Sequence, residues 1–540
     1  MLIIEQTKGR MLTHWSQINW TGVERNVKRL QGRIFRAVRA GNPAKAKSLQ
    51  KLLARSSSAK LLAIRKVTQQ NRGRNTPGID GKLCKTPEAR LSLFKQGLSF
   101  KRYRPKRVRR IFIEKKGGGM RPLGIPTIKD RVMQTIVRLA LEPEWESRFE
   151  ANSYGFRPGR CTMDAICALH AALRCKGSSR WILDADISKC FDNIEHAALL
   201  NKLPVFTRTI ERWLKAGTKS FGRGTPQGGP ISPMLMNVAL DGMERLFGYE
   251  NSRGNRVSAS SKTGLNKGVT LVRYADDFVV IAPTKERLES YVLPKVQTFL
   301  KQCGLTLSQK KTRIVHLSKR FDFLGFTFMR QGGKLLTKPS KKAVNAHIKQ
   351  IKAYLRSHVQ VPTLRVVKEL TRVIRGWINY YRHGASKKIF NRISHRTFEL
   401  LWKWARRRHR NKPSTWIRKK YFRVDWAFHS KEAALLRHNQ VPVTRFVKVT
   451  GKCSPLNPDE AEYWRTRRNK RRECLTYKEV DRTLHRRQEY SCALCGIAFE
   501  ENDNINHIQS RSRVGNEVDN LKLVHTWCRK AYHTRRTAKA

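Results

Sequence analysis

The stretch RYADDFVV, residues 273–280, sets two adjacent carboxylates, Asp276 and Asp277, between apolar residues. Alternation along a strand sends neighbouring side chains to opposite faces. The pair therefore reads as a hairpin turn between two buried strands, where both acids approach one cation. Burying two like charges is costly unless a metal compensates them. Taken alone, an Asp-Asp pair reads equally well as an ordinary turn or a helix cap.

A third acid sharpens the reading. LDADISKCFDNI, residues 183–194, offers Asp184 and Asp186 at the end of an apolar strand about ninety residues upstream. Two strands that bring acids together form a support for two Mg2+ ions, which activate an attacking 3′ hydroxyl and stabilise a leaving oxygen. Magnesium suits hard carboxylate oxygens shared with substrate phosphate.

The surroundings fit a polyanionic substrate. Across 540 residues, 112 Lys and Arg face 40 Asp and Glu, a formal charge of +72. Such an excess repels itself in a compact state unless a phosphate backbone neutralises it. The length suggests about three or four domains. No run of about 18 apolar residues occurs, so no membrane helix is expected. The 11 cysteines are mostly scattered, as in reduced intracellular proteins, and the short apolar start argues against secretion.

Apolar positions at helical spacing fill residues 22–68, broken at Gly41, Asn42 and Pro43. Residues 108–126 read as two short strands around a Gly-rich turn. Beyond 340 the texture becomes Lys, Arg and Trp in helical period, with a further break near 450–460. At the end, Cys492 and Cys495 form C-x2-C, and His525 and Cys528 form H-x2-C. Two such knuckles make a tetrahedral structural Zn2+ site that staples a domain too small to hold itself.

In order, KKGGGMRPLGIPTIKDR, NSYGFRPGR, DADISKCFDNI, GTPQGGPISPMLMN, RYADDFVV, GLTLSQKKT and FDFLGF resemble the reverse transcriptases of group II intron-encoded proteins. The resemblance implies a multidomain α+β right-hand polymerase. Its fingers and antiparallel palm would be followed by an α-helical thumb or maturase domain and a small zinc-stapled ββα HNH-like domain. The expected bounds are 1–75 for a basic helical extension, 76–335 for fingers and palm and 336–440 for the thumb. A basic DNA-binding linker at 441–484 and the zinc domain at 485–540 would follow.

By the same resemblance Asp186, Asp276 and Asp277 hold the metals, and Lys311 lies near the departing pyrophosphate. Lys115 and Arg121 grip the triphosphate, and Arg157 belongs with the template and nucleotide contacts. Gln227, Gly228 and Gly229 pack beneath them. Phe191, five residues after Asp186, matches the aromatic gate that favours dNTPs over rNTPs; it reads equally as a core residue. The segment GWINYYRHGASKKIFNRI, residues 376–393, resembles the maturase helices, whose cations and rings suit intron RNA. Trp377, Tyr380 and Tyr381 serve equally well as bundle core.

The tail resembles an HNH endonuclease that nicks target DNA, with His507 as general base, Asn520 orienting its loop and His533 on a divalent cation. It departs from that pattern at Asn506 and Arg529, where metal ligands usually stand, so cleavage is expected to be weak or lost. The expected activity is RNA-templated DNA synthesis with assistance to splicing. An RNA-binding maturase without polymerase activity is the alternative, and a CRISPR-associated or defence reverse transcriptase is a third reading.

Overall fold

The computed structural model describes residues 14–114, 118–174, 181–217, 222–248, 268–475, 479–499, 503, 505–508 and 521–537. Lys115 and Asn520 lie outside them. The chain opens on α1 (Trp20–Arg39), whose first turn is capped by the Asn19 side chain accepting from the Gly22 amide at 3.0 Å. Val23, Val27, Leu30 and Ile34 recur at helical spacing and are buried. The expected break is real: Gly41 has a φ of +68°, and Asn42 caps α2 (Pro43–Arg55) with proline in the first turn. A second break, at Ser56, starts α3 (Ser57–Arg65).

The strands expected around the Gly-rich turn are β1 (Arg109–Glu114) and β2 (Met120–Ile125), paired antiparallel from Arg109↔Ile125 to Glu114↔Met120. Next come α4 (Ile128–Arg148), buried along most of its length against α1, α2 and α3, and α5 (Thr162–Arg174). The palm sheet holds β3 (Trp181–Asp186), β4 (Thr270–Tyr274), β5 (Asp277–Ala282) and β6 (Arg313–His316) in the order β4-β5-β3-β6, all pairs antiparallel. A second sheet of β7 (Phe321–Phe323), β8 (Phe326–Gln331) and β9 (Lys334–Pro339) leads into the helical region.

That region comprises α6 (Lys341–Ser357), α7 (Thr363–Tyr381) and α8 (Lys387–Arg408). Val366, Leu370, Ile374 and Ile378 make the inward stripe of α7. Trp377 stacks on His347 with centroids 4.8 Å apart, the Tyr380 hydroxyl donates to the Leu324 carbonyl at 2.8 Å, and Tyr381 is buried. All three rings thus serve the core. The outward face of α7 carries Arg365, Lys368, Arg372 and Arg375, exposed at intervals of three and four.

The basic segment expected to act as a DNA-binding linker returns to the palm as a strap. Its helix α9 (Ala461–Leu475) sends Arg467 to Asp164 of α5 at 2.8 Å, an ion pair with both side chains buried. Asp164 also accepts from the Val449 amide at 2.7 Å, and the Trp464 ring lies so close to Gly159 that a Cβ there would meet it at 2.4 Å. After α10 (Glu479–Arg487), the chain ends in the antiparallel pair β10 (Ile505–His507) and β11 (Leu523–His525), then α11 (Thr526–Thr537).

Breaking a buried pair strands the surviving charge, at about 3–5 kcal/mol. Arg467→Met is expected to lower stability on that scale, read as a lower urea midpoint by tryptophan fluorescence. A midpoint equal to that of the unsubstituted protein would show that the strap is not held by this pair.

Candidate active site

The palm register brings the acids together. Asp186 ends β3 directly opposite Asp277, which begins β5, and Tyr274 pairs with Asp277 across the hairpin. This leaves Ala275 and Asp276 as a two-residue turn. Ala275 has a φ of +60° as its first central residue, the sense of a type II′ hairpin turn and a position that glycine normally takes.

What holds an alanine there is the NSYG loop. The Arg273 amide donates to the Asn152 carbonyl and the Tyr154 amide to the Arg273 carbonyl, each at 2.9 Å. Gly155 is thereby pressed onto the turn, and a Cβ on it would stand 2.3 Å from the Ala275 nitrogen. Arg273 is wholly buried and donates from Nη1 to Asn237 Oδ1 at 3.1 Å and to the Ala275 carbonyl at 3.2 Å. Burial pulls its pKa down, while the charges of Glu150 and Asp241 hold it up.

The electrostatics of the acids are those of an anion cluster in want of a cation. Burial, then the charges of Asp276 and Asp186, push the Asp277 carboxyl up to about 7. Burial also raises Asp276, with Arg121 and Lys311 pulling the other way. The Lys311 ammonium donates to Asp186 Oδ2 at 2.6 Å, a bond that raises its own pKa. Asp184, on the same face two residues earlier, is engaged by Arg313 at 3.0 Å. Hard carboxylate oxygens that Lys311 and Arg121 neutralise only in part fit a divalent magnesium site.

Other expected site residues surround this edge. Arg121 is exposed on β2. Phe191 sits on the short helix Cys190–Asn193 after β3, half-buried against the core, and its carbonyl accepts from the Thr225 amide at 2.6 Å. The Gln227 carbonyl accepts from the Gly124 amide at 2.7 Å, and a Cβ on Gly228, whose φ is +127°, would meet the Gly124 carbonyl at 2.7 Å. This contact moors the β1–β2 hairpin to the palm. Arg157 requires a correction. Its guanidinium is buried in an ion pair with Glu146 at 2.9 Å and donates to the carbonyls of Glu150 and Ser153, so it braces the loop and does not face a substrate.

At the far end, one ligand atom each from Cys492, Cys495, His525 and Cys528 lies within 4.8 Å of the others. This donor set fits zinc. Asp503, which the spacing did not flag, reaches His525 Nε2 at 3.2 Å and fixes the ring so that Nδ1 faces the thiols. The residues expected to cut DNA are otherwise engaged. His507 Nε2 meets Asp481 at 3.1 Å, while His533 Nε2 and Arg529 Nε both bond the Ile508 carbonyl, at 3.0 and 3.1 Å. Asn506 donates to the Thr526 hydroxyl at 2.8 Å.

Comparison with known proteins matches three family models in order: the N-terminal domain of reverse transcriptase over residues 15–96, reverse transcriptase (RNA-dependent DNA polymerase) over 113–328, and the group II intron maturase-specific domain over 343–422. Protein YkfC of Escherichia coli is 32% identical, the match covering 52% of this chain and 84% of that protein. The group II intron-encoded protein LtrA of Lactococcus lactis is 30% identical over 52% of this chain and 57% of its own length. A solved Candida albicans telomerase aligns with a TM-score of 0.30 at 12% identity, covering 59% of this chain and 65% of that one, too weak a likeness to carry weight. A reverse transcriptase domain implies use of a divalent metal ion, and a maturase domain implies RNA binding. With the catalytic edge, the mooring of the hairpin and the maturase helices in this order, the chain belongs to the group II intron-encoded reverse transcriptase and maturase family.

Proposed function

We propose that the chain copies RNA into DNA from dNTPs with two Mg2+ ions, and clamps intron RNA to support its splicing-competent fold. The observation that carries this reading is the convergence of Asp186, Asp276 and Asp277 on one sheet edge, flanked by Lys311 and Arg121. The three carboxylates would hold the ions. A pair of ions held there would supply activation of a primer 3′ hydroxyl and charge stabilisation of the leaving oxygen. Arg121, on the β1–β2 hairpin, and Lys115 in its expected part meet the triphosphate, and Lys311 meets the departing pyrophosphate from its place beside Asp186. Phe191 crowds the ribose 2′ position. Gln227 and Gly228 support template and nucleotide by fixing the hairpin above the palm. The Arg365, Lys368, Arg372 and Arg375 stripe tracks the phosphates of intron RNA.

The C-terminal Cys/His cluster holds one structural Zn2+ in a ββα module similar to an HNH endonuclease that contacts a DNA target. With Arg529 and His533 turned to a carbonyl and His507 to Asp481, cleavage of that DNA is weak. Asn520 keeps its expected part as the residue that orients a loop of the His507 site. The expected domain bounds of 1–75, 76–335, 336–440, 441–484 and 485–540 remain part of this reading.

Primer extension on an RNA template with dNTPs and Mg2+ tests the polymerase. Asp276→Ala is expected to cut the rate by roughly 100-fold or more, the scale set by losing a group that stabilises developing charge. A variant as active as the unsubstituted protein would sink the assignment. Phe191→Ala is expected to raise rNTP relative to dNTP incorporation by about tenfold or more; an unchanged ratio would remove the gate. Mercurial titration of the thiols, read with a zinc indicator, is expected to release one Zn2+ per chain, and no release would leave the cluster metal-free.

A further inference from the structure

We propose that Glu244 and Glu150, two buried acids away from the carboxylate edge of the palm, are positioning residues for the catalytic turn: they clasp the NSYG loop and so fix Ala275 and Asp276. The inference rests on the polymerase reading above, because it names what aims the acids of that site.

Residues 151–155 belong to no helix or strand, so the loop that presses on the turn takes its shape from side chains elsewhere. Those side chains come from the chain at and beyond the helix Ser232–Ala239. Glu244 accepts twice from Asn152, at Oε2 from the backbone amide at 2.9 Å and at Oε1 from Nδ2 at 2.8 Å. Asn152 is thereby held at both backbone and side chain. Its carbonyl accepts from the Arg273 amide, and its Oδ1 accepts from the Tyr154 hydroxyl at 3.0 Å.

Glu150 closes the clasp from the opposite direction. Its Oε1 accepts from the amides of Gly242, Glu244 and Arg245 at 3.1, 2.7 and 3.1 Å, which fixes the backbone from which Glu244 reaches out. From the helix itself, Asn237 Nδ2 donates to the Gly155 carbonyl at 2.8 Å while its Oδ1 takes the Arg273 guanidinium. An unbroken run of bonds thus leads from Glu150 through Glu244 and Asn152 to Arg273, which in turn holds the Ala275 carbonyl.

This arrangement is costly for a mere core. Glu150, Asn152 and Glu244 are each 3% exposed or less. Burial first, then the charges of Asp241 and Glu244, push the Glu150 carboxyl up to about 8, with Arg273 and Arg245 pulling it down. Apolar residues of similar volume fill a core without that penalty. Carboxylates earn their place where several amide donors must be met in fixed directions, and each of these two meets more than one.

The test uses the full chain in steady-state primer extension. Glu244→Gln keeps the shape but leaves a single acceptor oxygen, so an N–H is turned on a donor of Asn152. It is expected to lower kcat about tenfold or more with the KM for dNTP unchanged, as for a residue that aims the acids without touching substrate. Adding Asn152→Asp gives the new N–H an acceptor, and kcat is expected to return to within about threefold of the unsubstituted protein. Hydrogen exchange of the metal-free protein over residues 273–280 is expected to follow the same order, faster in the single variant and slowed again in the double. Arg467→Met, destabilised at the strap, is expected to keep its kcat per folded molecule. An unchanged kcat in Glu244→Gln, a double variant no better than the single, or an equal loss of kcat in Arg467→Met overturns the proposal. If the unsubstituted protein extends no primer while exchange follows the expected order, the polymerase reading fails and the clasp stands. Extension by the unsubstituted protein with exchange unaltered in Glu244→Gln sinks the clasp alone.

Discussion

Three carboxylates on one sheet edge repel one another, and the palm is the scaffold that keeps them there. Burial first, and their mutual repulsion second, raise Asp277 and Asp276 above the usual carboxylate range. Backbone pairing resists it: Asp186 and Asp277 are fixed as cross-strand partners by the β3–β5 register. Beneath the turn, the buried Arg273 holds the Ala275 carbonyl, while Gly155 presses on the Ala275 nitrogen. The fingers are set by the same logic of close backbone approach, through Gly228 against Gly124. A chain with so large a positive surplus nonetheless gathers three acids at this edge.

Much of this edge was legible in the sequence, because hairpin turns and acids at strand ends are written in a few adjacent residues. The turn at Asp276, both fingers strands and the break at Gly41 follow from local chemistry. Arg157 was misread because nothing in the residues beside a guanidinium marks it as buried. Its partner Glu146 lies on α4, eleven residues away. Trp377, Tyr380 and Tyr381 were ambiguous for a related reason: rings that stack on bases and rings that fill a bundle have the same helical spacing. The choice is made by His347 and Leu324, on other elements. Asp503 escaped notice because a carboxylate that orients a ligand has no fixed spacing from it.

The C-terminal module joins a readable part to an unreadable one. Its four ligands announced themselves by spacing, and the structure brings them together. Its attachment did not, since the bond from Thr21 to the Cys495 carbonyl spans almost the whole sequence. The engagement of Arg529 and His533 by one carbonyl gives physical form to a departure visible in the sequence only as two altered letters.

The strap has a consequence for the order in which the protein is made. Asp164 sits at the heart of the palm, yet its ionic partner Arg467 lies 303 residues further along the chain. At about 5–20 residues per second, roughly 15–60 s of translation separate the two. During that interval the palm helix carries a carboxylate for which no guanidinium has yet been synthesised. The palm therefore reaches its full stability only after residues that follow the maturase helices have been made. The maturase helices thus emerge before the ion pair that fastens the strap to the palm can form.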